Sequence, residues 1–247
     1  MTPLITLGII GALAVLLVLL TRSVQVGRQV ALRPLPALDG IKGQLGRSIE
    51  SGSPLHVTLG QAGLVNQAAP TTIAALHVLD HLALDGCANS TPPLVTVGEG
   101  TLLPIAQGSL RHAYQETGRS GEFAPDQVRF IAPETTPFIY AGGAASLLQQ
   151  DRVTGNIAVG RFGPELALIA EAANNRRLDQ LLGTDDPSAL AVATAFSQNV
   201  LVGEEMLAAG AYLRDDPSRL ATLQLQDIIR WILAGGIVLL ALVEGLF

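Results

Sequence analysis

Residues 156–190 read NIAVGRFGPELALIAEAANNRRLDQLLGTDDPSAL, and the order of signals in this stretch decides the fold class. An apolar run, Asn156–Val159, ends at the turn Gly160-Arg161. A helical stretch at 164–174 follows. Asn174-Asn175 with Arg176-Arg177 closes it, the cations favouring the negative end of the helix dipole. A second run, Asp179–Leu182, ends at Gly183-Thr184-Asp185. Asp186-Pro187 then opens the next helix, with the aspartate as cap and the proline at the first helical position. Short strands alternating with helices of this length predict a parallel sheet with right-handed crossovers.

The same unit recurs on both sides. Upstream runs are Leu55–Leu59, Leu94–Val97 and Val128–Ala132, and a downstream run is Asn199–Val202. Helical stretches fall near 70–86, 103–118, 138–150, 187–196 and 204–213. The runs show no in–out alternation, as expected of strands covered on both faces. The expectation is an α/β fold: a roughly six-stranded, mainly parallel, Rossmann-like sheet with helices on both faces, occupying residues 55–216. Asp216-Pro217 repeats the Asp-Asp-Pro-Ser helix start. Before the first strand, Leu38, Ile41, Leu45 and Ile49 recur at helical spacing within a juxtamembrane segment, 22–54. That helix has two readings, against a membrane surface or over the sheet.

Both ends are apolar. Leu4–Leu20 carries no charge, and its seventeen residues reach about 25 Å as a helix, near the short limit for a bilayer core. A cleaved signal peptide would place basic residues before the apolar run. Here Arg22, Arg28 and Arg33 come after it, so the expectation is an uncleaved span within residues 1–21. At the other end, 217–247, Ile228–Phe247 carries Trp231 at an interfacial position and Arg230 able to snorkel. Arg214, Arg219 and Arg230 precede that second span. The positive-inside rule then puts the central domain in the cytoplasm and both termini outside, as two spans of a plasma membrane. Gly8 with Ala12, and Gly235-Gly236, permit close helix approach within one chain or between neighbours, the latter giving a homo-oligomer.

Composition limits the chemistry. Of 247 residues, 49% are hydrophobic and 15% charged, and the formal net charge is −6 with Lys42 the only lysine. An acidic chain of this kind gives no footprint for nucleic acid, so the bilayer is the expected partner. A single cysteine, Cys87, excludes an internal disulfide.

Ligands of open parallel sheets bind beyond the strands' carboxyl ends. The residues there are Gly60-Gln61, Gly98-Glu99-Gly100, Pro133-Glu134, Gly160-Arg161, Gly183-Thr184-Asp185 and Gly203-Glu204-Glu205. Gly98, Glu99, Gly100, Gly160, Arg161, Gly203 and Glu204 are the candidate ligand-binding residues. The competing reading is that the acids serve helix N-termini. Gly98-Glu99-Gly100-Thr101-Leu102-Leu103 is the nearest approach to a dinucleotide fingerprint, with leucine at the third glycine. There is no P-loop and no Gly-x-Ser-x-Gly elbow, so the sequence names no catalytic residue and no cofactor. His77 and His81, a turn apart beside Asp80, are either half of a metal site or the edge of an apolar stripe.

Several stretches together resemble a bacterial family of membrane-anchored α/β proteins known as a domain of unknown function. They are Gly46-Arg47 to Gly52-x-Pro54, Thr96-Val97-Gly98, Gly160-x-Phe162-Gly163 and Gly203-Glu204-Glu205. Ala208-Ala209-Gly210-Ala211-Tyr212-Leu213 and Gln226-Asp227 with Arg230-Trp231 complete the set. The resemblance implies the two-part architecture and assigns no activity. The leading functional expectation is a membrane-anchored scaffold or self-assembling domain. A nucleotide or small-molecule sensor using the strand-end crevice is the alternative, and an enzyme is the third.

Overall fold

The computed structural model describes residues 3–26, 33–65, 68–150, 152–214 and 217–246, and two compact units divide the chain. Arg28, Asp216 and Phe247 lie outside the described residues.

The α/β unit is Pro34–Leu213. Its strands are β1 (His56–Gly60), β2 (Leu94–Val97), β3 (Val128–Phe130), β4 (Gly155–Arg161), β5 (Asp179–Thr184) and β6 (Asn199–Val202). Within one sheet they run in the order β3-β2-β1-β4-β5-β6, and every pairing is parallel. This is the doubly wound order, in which the chain works outward from β1 to one edge and from β4 to the other. The helices of the unit are α2 (Pro36–Ser51), α3 (Ala69–Ala88), α4 (Leu102–Glu116), α5 (Pro137–Gln150), α6 (Leu166–Asn175), α7 (Pro187–Phe196) and α8 (Glu204–Leu213). The local signals do what their chemistry requires. Asp186 caps α7 by accepting from the Ser188 and Ala189 amides at 2.8 and 3.2 Å, with Pro187 next to it. Helix α6 ends at Asn175, and Arg177 follows with φ +56°.

Two apolar clusters fill the two sides of the sheet. One joins α2, α3, α4 and α8 to Val57, Leu59, Val95, Val97, Ile157, Val159, Leu181 and Leu201. The other joins α5, α6 and α7 to Leu94, Ala158 and Leu182. Helix α2 buries Leu38, Ile41 and Leu45 in the first cluster, so it covers the sheet. All residues of β1 and β2 and most of β4 and β5 are buried, as expected of strands covered on both faces, while polar and apolar side chains alternate between those faces. Residues facing α5 and α6 include His56, Thr58, Thr96, Asn156 and Gln180, all buried. They form a chain of hydrogen bonds across four strands. The His56 ring meets Asn156 Oδ1 at 2.8 Å through Nδ1 and Thr96 Oγ1 at 3.0 Å through Nε2. Asn156 Nδ2 donates to Gln180 Oε1 at 3.5 Å, and Gln180 Nε2 donates to the Ala170 carbonyl at 2.9 Å. The Tyr140 hydroxyl bonds Thr58 Oγ1 and lies 3.3 Å from the Thr96 carbonyl, tying α5 to the same face. Buried polar groups persist only when paired, and here register pairs them.

The other unit comprises Met1–Arg33 and Arg214–Phe247. It contains α1 (Pro3–Gln25) and α9 (Pro217–Leu246), which pack against each other. Among the described residues one helical stretch, Thr6–Gln25, is long and apolar enough to cross a bilayer, with mean hydropathy 2.3. The second expected span falls on α9, whose side chains beyond Ile237 lie outside the described residues.

Candidate functional site

In the order β3-β2-β1-β4-β5-β6, the connections leaving β1 and β4 diverge, and a crevice opens between their carboxyl ends. A cavity of about 220 Å³ occupies this place. Gln61 and Ala62 line it from the turn after β1, and Arg161, Phe162, Gly163 and Glu165 from the turn after β4. Glu134 and Pro137 reach it from the β3–α5 connection, and Asp186 from the turn after β5.

The floor is made by close backbone approach. The β1–β4 register slips between Thr58 and Gly60, so that Gly60 pairs with Arg161. Gly60 has φ +75°, and a Cβ there would stand 2.5 Å from the Arg161 carbonyl oxygen. A Cβ on Gly160 (φ +153°) would stand 2.2 Å from the Leu59 oxygen. These glycines let two strands touch and re-aim the chain beyond them, as bulges beside sites do. Gln61 N then donates to the Arg161 carbonyl at 3.2 Å.

Glu165 is the deepest acid in the cavity, only 4% exposed. Its Oε1 accepts from Gln61 Nε2 at 3.0 Å and from the Gly163 amide at 2.7 Å. No hydrogen bond reaches Oε2 among the described residues. Thr184 Oγ1 accepts from the Phe162 and Asp186 amides at 3.3 and 3.4 Å, which fixes the turns after β4 and β5 to each other. Hydrogen bonding from the Ser188 hydroxyl holds the Asp186 carboxyl below the usual carboxylate range. On the rim, Arg161 Nη1 lies 3.6 Å from Asp185 Oδ2, and Thr71 Oγ1 donates to the same oxygen at 3.0 Å.

The residues singled out from sequence fall in different places. Arg161 lines the cavity, and Gly160 lies in its floor. Gly98 abuts that floor, since a Cβ there would meet Gln61 Cγ at 2.8 Å and Tyr140 Cδ2 at 3.0 Å. Glu99 turns to its own helix: Oε2 accepts from the Thr101 and Leu102 amides at 2.7 and 3.2 Å. Its carboxylate also lies against Gly63, 3.3 Å from where a Cβ would be. Gly100 has open space around its Cβ position. Gly203 and Glu204 follow the edge strand β6, and the neighbouring Glu205 accepts from the Val202 amide at 3.3 Å, so this pair is not brought to the cavity. His81 Nε2 lies 3.7 Å from Asp85 Oδ2, one turn along α3. No cluster of three or more His, Cys, Asp or Glu side chains able to hold a metal occurs among the described residues. Cys87 is buried, and burial pushes its thiol up to about 11.

A family model matches residues 3–246, nearly the whole length. The chain belongs to that family, the Domain of unknown function (DUF6754). No curated protein and no solved structure matches it. Among members of a family so described, site assignment rests on geometry. The sequence missed Glu165 because Gly163-Pro164-Glu165 reads as an ordinary helix start. Its position one turn after Gly160-Arg161 was the available signal.

Proposed function

We propose that this protein is a membrane-anchored binding domain that takes a small polar ligand in the cleft between β1 and β4. The observation carrying the reading is the cleft itself: a cavity at the switch point of a doubly wound sheet, lined by the Glu165 carboxylate, which Gln61 and Gly163 hold in place. In this reading both α1 and α9 span the bilayer, the α/β domain lies on the cytoplasmic side and both termini lie outside. Support for the second span is the length of α9, 30 residues or about 45 Å, and its packing along α1. Trp231, Ile232, Leu233 and Ile237 are exposed on α9, as Leu7, Ile10 and Val15 are on α1. Surfaces of that kind suit lipid better than water.

Two observations turn the reading away from nucleotides. In doubly wound folds a phosphate sits at the turn after β1 and the N-terminus of the next helix. Here the Glu99 carboxylate lies against Gly63 in that turn, and Asp185 is bonded to Thr71 in the first turn of α3. The chain's own anions already stand where a phosphate would.

Lateral self-association is the second reading. Gly8, Gly11, Gly235 and Gly236 have nothing within 4 Å of their Cβ positions, which leaves room for a second copy. Native mass spectrometry of the full chain released from lipid discs separates the two. A reproducible small-molecule adduct that Gly160→Ala removes supports the binding domain. A discrete oligomer without added mass supports assembly and counts against a tightly held ligand.

A further inference from the structure

We infer that a second copy of this chain docks on the outer face of α5, α6 and α7, with the two α5 helices antiparallel. The inference rests on the self-association reading above and gives it a surface; it is independent of the cleft. The three helices cover one side of the sheet and count 14, 10 and 10 residues. Glu171 is the one Asp, Glu, Lys or Arg among them, whereas α2, α3, α4 and α8 on the other side carry four, two, two and two. Tyr140, Ala141, Ala144 and Leu148 are buried and define the inner face of α5. Its outer face, at helical spacing, is Phe138, Ile139, Gly142, Ser146 and Gln149. Phe138 and Ile139 are each 63% exposed, and Leu168 on α6 is 39% exposed. A nearly uncharged face with exposed large apolar side chains has the composition of an interface core, where charge is depleted.

Shape and charge both select a second copy. A groove of about 280 Å³ runs between α5 and α6, and Gly142, Ala145, Leu168 and Ala172 form its apolar wall. A cavity of about 150 Å³ holds benzene, so this groove admits a phenyl side chain. The Phe138 knob and the groove lie on one face, and an isologous two-fold contact lets each copy fill the groove of the other. Nothing stands within 4 Å of the Gly142 Cβ position, which lets a facing helix come close. Charge sets the direction. The connections leading into the three helices hold Glu134, Glu165, Asp185 and Asp186 beside the single Arg161. Those leaving α5 and α6 hold Arg152, Arg176 and Arg177 against one acid, Asp151. Antiparallel packing sets the acidic end of each copy against the basic end of the other and opposes the helix dipoles; parallel packing would set like against like. Helix spacing and rise give the face roughly 30 by 20 Å, or about 600 Å² in projection. Side-chain relief raises the accessible area toward the about 800 Å² per partner of a standard interface. Both ends of the unit also lie on the β6 side, since Gly40 of α2 abuts Asn199 of β6 and α8 follows β6. A two-fold axis along strand order keeps these ends on one side of the pair, as copies anchored in one bilayer require.

The test is cysteine cross-linking of the full chain in lipid vesicles with a short bis-maleimide. Cys87 is buried and stays out of the reaction. Ser146→Cys, on the outer face of α5, should give a single dimer band. His112→Cys, exposed on α4, should give none. Phe138 is exposed, so Phe138→Asp leaves the fold intact, and it enters the contact twice. Dimer formation by Ser146→Cys should then fall at least ~tenfold. Glu134→Arg and Arg152→Glu should each weaken the dimer, and the two together should restore it, a result that damage to the fold cannot give. Equal cross-linking at positions 146 and 112 is random collision and would overturn the inference. So would a dimer indifferent to Phe138→Asp; if Gly235→Leu abolishes that dimer, self-association stands and lies in the spans. A chain that is monomeric by native mass spectrometry and does not cross-link at position 146 overturns this inference and the self-association reading together.

Discussion

Replacing His56 by phenylalanine keeps a ring of similar size in the middle of the sheet but removes its hydrogen bonds to Asn156 and Thr96. His56 is fully buried, so neither water nor a mobile side chain can replace it. The change strands Asn156 Oδ1 and Thr96 Oγ1, which it meets at 2.8 and 3.0 Å. An unpaired buried polar group costs about 1–3 kcal/mol, so His56→Phe should lose about 2–6 kcal/mol. Thr96 can turn its hydroxyl toward a nearby carbonyl, which favours the lower half of that range. For a domain with total stability of about 5–15 kcal/mol this is a large share. The assay is urea unfolding of the detergent-solubilised full chain, followed by far-ultraviolet circular dichroism. With a slope of about 1–3 kcal/mol/M, the midpoint should move down by roughly 1 M or more. The double variant His56→Phe with Thr96→Val removes both ends of one bond. It should be more stable than the sum of the two single losses by about 1–2 kcal/mol. A His56→Phe variant within 0.5 kcal/mol of the parent, or strict additivity in the double variant, would refute the claim that this hydrogen-bonded chain holds the strands in register.

Asp186→Ala should cost about 1 kcal/mol through loss of the α7 cap, seen in the same urea titration. The Asp186 carboxyl titrates below its usual range in the folded protein, so its contribution is present at neutral pH and fades as pH falls through the folded pKa. The variant should accordingly lose less stability on acidification. Burial pushes the Tyr140 phenol up to about 12, against about 10 when unfolded. Its stabilising protonated form is intact below pH ~10 and is lost as pH rises toward 12, so Tyr140→Phe should flatten this alkaline limb while costing about 1 kcal/mol at neutral pH. Gly160→Ala puts a Cβ against the Leu59 carbonyl and should cost about 1–3 kcal/mol. Hydrogen exchange localised to β1 and β4 should rise in that variant; a change spread evenly over the sheet would contradict the close-approach argument.

Local chemistry determined much of this molecule without reference to the rest of the chain. The Asp186-Pro187 start, the end of α6 at Asn175 and the six strand positions follow from caps, turns and apolar runs a few residues long. Parallel pairing followed as well, because a helix between two strands leaves no other short connection. The apolar N-terminal helix was equally plain, since length and lack of charge suffice. Only the tertiary structure decided the rest. Strand order placed the switch point between β1 and β4, and that separated Arg161, at the cleft, from Gly203 and Glu204, beyond the edge strand. Glu99 and Glu165 are both acids near helix starts in sequence. One folds back onto its own helix amides, while the other faces a neighbouring turn and the cavity. The polar chain through His56, Asn156 and Gln180 joins residues 100 and 24 positions apart, and only register aligns them. Caps and turns are fixed by neighbours along the chain, whereas a cleft is fixed by which strands become neighbours in space.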